Sequence, residues 1–258
     1  MDGVNKTLYI PLYGKSLVSK KGIILSDGKA EEIWAAEGFP LKGKSKSKWL
    51  AYYMGMRSAV FDRWLERQMA ENPDAVVLHI GCGMDSRILR VGEQNHNWYD
   101  VDFPDVIGQR RQYFEETGCY KMISGDLREK EWLDAIPGGK AIVILEGISM
   151  YVTPEELKTA FENLYSHFAD VHILMDCYTE FAAKASKYKN PINDVGVTRV
   201  YGLDDPAVLP GFLREHGMTP DDLIGQLQGM EKRIFRSLYA GGVAKKMYRL
   251  YEFRGGAK

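Results

Sequence analysis

From Ala75 onward the chain alternates short apolar runs with longer amphipathic stretches, a pattern that few folds can accommodate. Strands buried on both faces read as nearly continuous hydrophobic runs, and the stretches between them supply helices that cover a parallel sheet. Strands are expected over 75–80, 98–101, 121–124, 141–146 and 171–176, with helices over 86–92, 104–117, 128–135 and 154–168. The last helix carries a clear start signal: Thr153 as N-cap, Pro154 at the first helical position and Glu156 three residues past the cap. Near the C-terminus, KMYRLYEF over 246–253 alternates well enough to close the sheet as an antiparallel strand.

The flanking regions follow a different grammar. Trp49, Tyr53, Met56, Val60 and Trp64 recur at three-to-four spacing and predict a helix over 48–69, leaving Arg57, Arg63 and Arg67 largely on other faces. The charge-rich KGKSKSK before it reads as a solvated loop, and IPLYGKSLVSKKGIIL, interrupted by Gly and Lys, suits a surface arm. Beyond Asp176 a helix is expected over 178–188. A lid or irregular connection follows over 189–203, where Pro191, Gly196 and Gly202 fall, and then helices over 206–215 and 231–238. The chain thus divides into an arm and helical cap, 1–72, and a sheet domain, 73–258, with a lid insertion over about 178–240.

Composition narrows the partners. With 34 Lys and Arg against 35 Asp and Glu, no long-range field draws the protein to nucleic acid or an acidic membrane, so a small-molecule partner is expected. Cys82, Cys119 and Cys177 are odd in number and outside any metal-binding spacing, so neither a disulfide framework nor a metal site is expected. The N-terminal MDGVNKTLYIPLYGK has no long apolar segment, and no run of eighteen apolar residues occurs, so a cytoplasmic protein is expected. Nothing in the sequence sets the oligomeric state.

The most informative segment is VVLHIGCGMDSR, residues 76–87. An apolar strand runs into Gly81-Cys82-Gly83 and then a helix, so the backbone turns where a nucleotide-like cofactor can approach closely. A pyrophosphate-binding turn wants a third glycine at position 86, where this chain has Ser86 preceded by Asp85. A carboxylate there repels pyrophosphate but helps position a cationic amino group, which favours S-adenosylmethionine over a nicotinamide dinucleotide. A helix cap is the alternative role for Asp85 or Ser86.

Three more acids end strands in turn. Asp102, nineteen residues after Gly83, is placed to accept ribose hydroxyls, with capping of the next helix as the alternative. Asp126 with Leu127 suits an adenine amino group and ring, or a simple turn. Glu146 ends an otherwise apolar strand, where an unpaired charge is costly, so it has a hydrogen-bonding role beside the cofactor or within the fold.

Four blocks, VVLHIGCGMDSRILRV, WYDVDFPDVIGQRR, GDLREKEWLDAI and AIVILEGISMYVTPEELKTAF, resemble in order the family of leucine carboxyl methyltransferases and polyketide-synthesis O-methyltransferases. The resemblance runs over about 57–168. It implies a Rossmann-like class I methyltransferase fold, with a mostly parallel seven-stranded sheet, helices on both faces and a helical cap over the acceptor. It further implies Gly81 and Gly83 beside the methionine portion of S-adenosylmethionine, Asp102 on ribose, Asp126 and Leu127 at adenine, and Glu146 near the amino group. Arg57 then holds the cofactor carboxylate, with Lys48 as a further candidate. S-adenosylhomocysteine is the implied product.

Such chemistry needs little from side chains, because a carboxylate acceptor is already ionised, whereas a hydroxyl gains from a base such as histidine. None of the five histidines stands out: His79 and His172 fall in strands, His96 in a turn, and His167 and His216 near helix ends. Tyr151, Tyr178, Arg199 and Tyr201 are the candidate acceptor contacts. Two rival readings remain at this stage: an NAD-dependent dehydrogenase, and a non-catalytic protein that only binds S-adenosylmethionine.

Overall fold

The computed structural model describes residues 5–186, 197 and 199–257. Its strands are β1 (Val76–Ile80), β2 (Trp98–Asp102), β3 (Tyr120–Ser124), β4 (Lys140–Leu145), β5 (Asp170–Tyr178), β6 (Phe212–His216) and β7 (Tyr248–Gly255). They form one sheet in the order β3-β2-β1-β4-β5-β7-β6. The first five run parallel, and β7 lies antiparallel between β5 and β6. This is the Rossmann-like class I methyltransferase sheet expected from the sequence. Its order reverses between β1 and β4, and a crevice opens there beyond the strands' carboxyl ends.

The helices are α1 (Tyr9–Lys20), α2 (Gly28–Glu37), α3 (Lys48–Glu71), α4 (Arg87–Val91), α5 (Pro104–Arg110), α6 (Pro154–His167), α7 (Glu180–Ser186), α8 (Asp221–Gly225), α9 (Gly229–Tyr239) and α10 (Gly242–Lys245). Strand side chains alternate between two apolar layers. Ile142 and Ile144 of β4 join Tyr52, Phe61 and Leu65 of α3 on one face. Ala141, Val143 and Leu145 join Leu157, Phe161 and Leu164 of α6 on the other. The α6 start forms as expected: Thr153 accepts the Glu156 N–H at 3.2 Å, and Glu156 accepts the Thr153 N–H at 2.8 Å.

Several local expectations need correction. The stretch assigned to a surface arm is α1, with Tyr9, Ile10, Leu12 and Val18 buried in the core. Pro11 sits in its first turn, where no intrahelical N–H partner is lost. Gly14 and Gly55 let α1 and α3 cross closely: a Cβ on Gly14 would lie 2.7 Å from Met54, and one on Gly55 2.8 Å from Val18. The helix expected over 206–215 is a short 3-10 turn (Pro206–Val208) followed by β6, because Pro210 and Gly211, at φ 108°, break any helix between them. His216 therefore lies in a strand, paired with Glu252 at 2.7 Å. The helix expected over 104–117 ends at Arg110, and that over 128–135 is reduced to a 3-10 turn, Glu131–Ala135. Of the expected 178–188 helix, Tyr178 ends β5 and α7 takes residues 180–186, and most of the 189–203 connection lies outside the described residues. Among the described residues no helix is long and apolar enough to cross a membrane.

Candidate functional site

Past β1 the chain turns through Gly81 at φ 65° and Gly83 at φ 52°, a left-handed backbone that side-chain-bearing residues rarely adopt. Two neighbouring acids hold this turn from different sides. Asp102 Oδ2 accepts the Gly83 N–H at 2.7 Å and its Oδ1 accepts the Phe103 N–H at 2.8 Å. Burial raises the Asp102 carboxyl above the usual range, and those two N–H groups offset part of the rise. Asp100, fully buried, instead ion-pairs with Arg110 and accepts the Tyr120 hydroxyl at 2.7 Å and the Trp98 indole N–H at 2.9 Å. Arg110 then donates to the carbonyls of Gly83 (3.1 Å) and Asp85 (2.7 Å), so the pair braces the turn from beneath.

Below the turn lies a buried network of charges. Asp85 meets Lys15 at 3.1 Å and Arg90 at 2.8 Å. Arg90 also reaches Asp27 (2.6 Å) and Asp62 (2.7 Å), and Arg87 bridges Asp62 (2.7 Å) to Glu146. Arg57 contacts Glu146 at 2.9 Å and Asp176 at 3.0 Å. Burial alone would raise the Glu146 carboxyl, but Arg87 and Arg57 hold it down to about 2. Asp176 goes the other way: burial raises it, and Arg57 and the Gly147 N–H only partly compensate. Lys15, Arg57, Arg87 and Arg90 thus face Asp27, Asp62, Asp85, Glu146 and Asp176, leaving one carboxylate in excess.

A cavity of about 770 Å³ opens above these groups, at the carboxyl ends of the parallel strands. The structure brings Arg57, Gly81, Gly83, Asp85, Asp102, Asp126, Leu127, Glu146, Tyr151 and Tyr178 to its lining. Arg199 and Tyr201 are not among the lining residues: Arg199 is exposed and lies over the Tyr201 ring at 5.1 Å. Tyr201 reaches the site only through its N–H, which donates to the Met150 carbonyl at 2.9 Å. Lys48 is also absent from the lining. Its side chain is 47% exposed and pairs with Glu231 at 2.8 Å, because the first residue of α3 lies more than two turns from Arg57.

Capping does not occur at Asp85, Ser86 or Asp102: Ser86 donates to Asp27 at 2.5 Å, and α5 starts after Phe103 without a side-chain cap. Asp126 does make a local turn, accepting the Arg128 backbone N–H at 3.0 Å and its Nε at 2.9 Å. Lys15, Tyr53, Tyr239 and Tyr248 line the cavity without having been singled out in the sequence. The first was hidden by the arm reading of α1. The tyrosines come from α3, α9 and β7, and no spacing rule links such distant segments.

The lining divides by chemistry. One part holds the glycine turn, Asp102 and the apolar Phe103, Val106 and Leu127; the other is an apolar chamber of Leu50, Met54, Leu238 and Met247 with the tyrosines. Among the described residues no cluster of His, Cys, Asp and Glu is fit to hold a metal ion. The donor set fits S-adenosylmethionine: a carboxylate with free lone pairs beside an apolar slot, and cations embedded in a net-negative floor that suits a cationic amino acid portion.

The sequence profile of the family described as Leucine carboxyl methyltransferase matches residues 5–165. Tetracenomycin polyketide synthesis O-methyltransferase TcmP of Streptomyces glaucescens is 27% identical over 243 residues, covering 91% of this chain and 90% of its own length. S-adenosyl-L-methionine-dependent methyltransferase dpfgK of Gibberella zeae is 25% identical over 233 residues, covering 81% and 78%. Among solved structures, magnesium protoporphyrin IX methyltransferase (ChlM) from Synechocystis PCC 6803 with bound SAH aligns at TM-score 0.49 and 11% identity, over 89% of this chain and 94% of that one. The family match supports neither the dehydrogenase nor the non-catalytic reading. The chain belongs to the leucine carboxyl methyltransferase family and is an S-adenosylmethionine-dependent methyltransferase.

Proposed function

We propose that the protein methylates a hydroxyl or carboxylate oxygen of a small-molecule acceptor. One observation carries this reading: the cavity runs without a break from the glycine turn into the tyrosine- and methionine-lined chamber. Such apolar walls with few polar groups suit a small organic guest. The polyketide-synthesis O-methyltransferase among the relatives supports the oxygen acceptor.

In this reading Asp102 takes the ribose hydroxyls, Asp126 and Leu127 the adenine, and Gly81 and Gly83 make room for the methionine portion. Arg57, joined by Lys15, holds the cofactor carboxylate. Asp85 and Glu146 have both oxygens engaged by protein cations, so they act on the amino group through the negative floor as a whole. Residues 1–72 cap the site and residues 73–258 carry the sheet, the insertion of about 178–240 being a lid except for β6. Tyr151 and Tyr178 contact the acceptor, with Arg199 and Tyr201 at the outer edge. Bound S-adenosylmethionine supplies a methyl group already activated by positive sulfur, so the protein's task is to align the acceptor oxygen and exclude water. Three free cysteines fit a cytoplasmic location, and the balanced charge fits a protein that binds neither nucleic acid nor membrane.

Calorimetric titration with S-adenosylmethionine and S-adenosylhomocysteine, then a screen of hydroxyarenes and arene carboxylic acids for methylated product, tests the reading. Cofactor binding with methylation of either class supports it. Binding without an oxygen-methylated product from any of them overturns it.

A further inference from the structure

Beyond β3 the cavity wall is the turn from Gly125 to Arg128, and all of these residues line it. The backbone of this turn is fixed without help from the Arg128 side chain. The Gly125 N–H donates to the Asp102 carbonyl at 2.9 Å and the Trp132 indole N–H to the Asp126 carbonyl at 2.9 Å, while a Cβ on Gly125 would lie 2.7 Å from the Trp132 ring. What remains free is the torsion of the Asp126 side chain, and Arg128 takes that up. Its Nε lies 2.9 and 3.0 Å from the two carboxylate oxygens, its Nη2 donates to Oδ2, and its backbone N–H donates to Oδ1 at 3.0 Å. The Arg128 side chain is 48% exposed and that of Asp126 17%, so the arginine is the outer member of the pair and the acid the inner one. Glu156 of α6 lies 4.0 Å from Arg128 Nη1, too far to compete for the fork.

A carboxylate offers about four lone-pair sites in its plane, and the three N–H groups of Arg128 fill three of them. One site is left. Burial pushes the Asp126 carboxyl up, but the hydrogen bonds from Arg128 more than offset this and hold it below the usual carboxylate range, so it is ionised at neutral pH. An ionised carboxylate with one open site takes one donor and repels an oxygen lone pair in the same place. A single backbone hydrogen bond leaves the carboxylate plane free to turn, whereas a planar guanidinium fork fixes it, which an ammonium group would not do. Resting on the proposed placement of adenine at Asp126, we infer that Arg128 is a positioning residue: it holds the Asp126 carboxylate in the one orientation that accepts the adenine amino group. It thereby sets the selectivity of the site for adenine over a base with a carbonyl at that position.

Calorimetric titration with S-adenosylhomocysteine and with S-inosylhomocysteine, in which a carbonyl replaces the amino group, tests this. The wild type is expected to prefer the adenine ligand by about 10- to 100-fold, the worth of a hydrogen bond to a charged group. Arg128→Gln and Arg128→Lys change a half-exposed side chain and leave the backbone bonds of the turn in place. Each should cut the preference to below about 3-fold, chiefly by weakening S-adenosylhomocysteine. Lysine is the sharper variant, since it keeps the charge and loses the fork. A preference kept in full in either variant, including an equal loss for both ligands, overturns the proposal. Asp126→Ala should lower the preference to the same level, and Arg128→Gln added to it should change the preference no further. A preference that survives Asp126→Ala and is then lost with Arg128→Gln would mean that the arginine reads the base directly, which overturns its positioning role. A wild type that binds both ligands equally overturns the proposal and removes Asp126 from the adenine as well. A wild-type preference that survives in the Arg128 variants defeats the role of Arg128 alone.

Discussion

The charged floor under the glycine turn and the chamber beyond Glu146 share one cavity but are built differently. In the floor Lys15, Arg57, Arg87 and Arg90 each meet at least one buried carboxylate within 3.1 Å, and Glu146 is bonded by Arg57, Arg87 and Ser58. The chamber presents rings and thioethers, with Tyr53 stacked on Tyr239 at 5.2 Å and Tyr239 on Phe235 at 5.0 Å. A saturated ionic network has one low-energy arrangement and resists change, because removing any member strands another charge. Stacked rings tolerate exchange of shape, since their attraction is spread over many weak contacts. The contrast suits a constant cofactor in one half and a specific acceptor in the other.

The harshest break falls in the floor. Arg87→Met takes one of two arginine partners from each of the buried acids Asp62 and Glu146, in a site with no solvent access to the arginine, and should cost about 3 kcal/mol in urea denaturation. A cost below about 1 kcal/mol, the range of an ordinary surface change, would mean the network is not structural.

Acid should attack the same half. Glu146 is held at about 2 when folded against an ordinary 4.5, so it stabilises the fold fully above 4.5 and that stability is lost as pH falls toward 2. The loss is on the order of 3 kcal/mol, and Glu146→Gln should flatten the stability–pH curve in that window. Asp102 and Asp176, raised by burial, work in the opposite sense, because the folded state takes up their protons more readily than the unfolded chain. A curve unchanged by Glu146→Gln would show that these opposing groups dominate.

Asp102→Ala separates recognition from folding. It should weaken S-adenosylmethionine and S-adenosylhomocysteine alike by about 1–3 kcal/mol in calorimetry, with the fold retained. Unchanged affinity would take Asp102 out of the cofactor site. The mildest effect on the cofactor is expected in the chamber: Tyr239→Ala should raise the KM for the acceptor while shifting cofactor affinity by less than about 0.5 kcal/mol. If cofactor affinity falls as far as in Asp102→Ala, the two halves are not independent.

The positions of the residues proposed for the cofactor were largely legible in the chain. Gly81, Gly83, Asp102, Asp126 and Glu146 each end or follow a strand, and the strand alternation by itself places them at one edge of the sheet. What escaped was the set of partners. Nothing local marks Arg110 as the brace for Asp100, or Lys15 as the partner of Asp85, because the first contact runs from β2 to the far end of α5 and the second spans seventy residues. In the chamber, Tyr151 was found from its position after the fourth strand and Tyr178 from its place beside the expected lid, whereas Tyr53, Tyr239 and Tyr248 were not. Arg199 and Tyr201, placed at the acceptor from the same expected lid, lie outside the lining.

By itself the sequence determined the sheet, the glycine turn and the cofactor, because these depend on periodicity and on backbone conformations that only particular residues adopt. Only the tertiary structure decided that α1 is core rather than arm, that 212–216 is an edge strand rather than helix, and which charges saturate one another. Those outcomes rest on contacts between segments far apart in the chain, where packing and burial override local propensity and leave no local pattern to read.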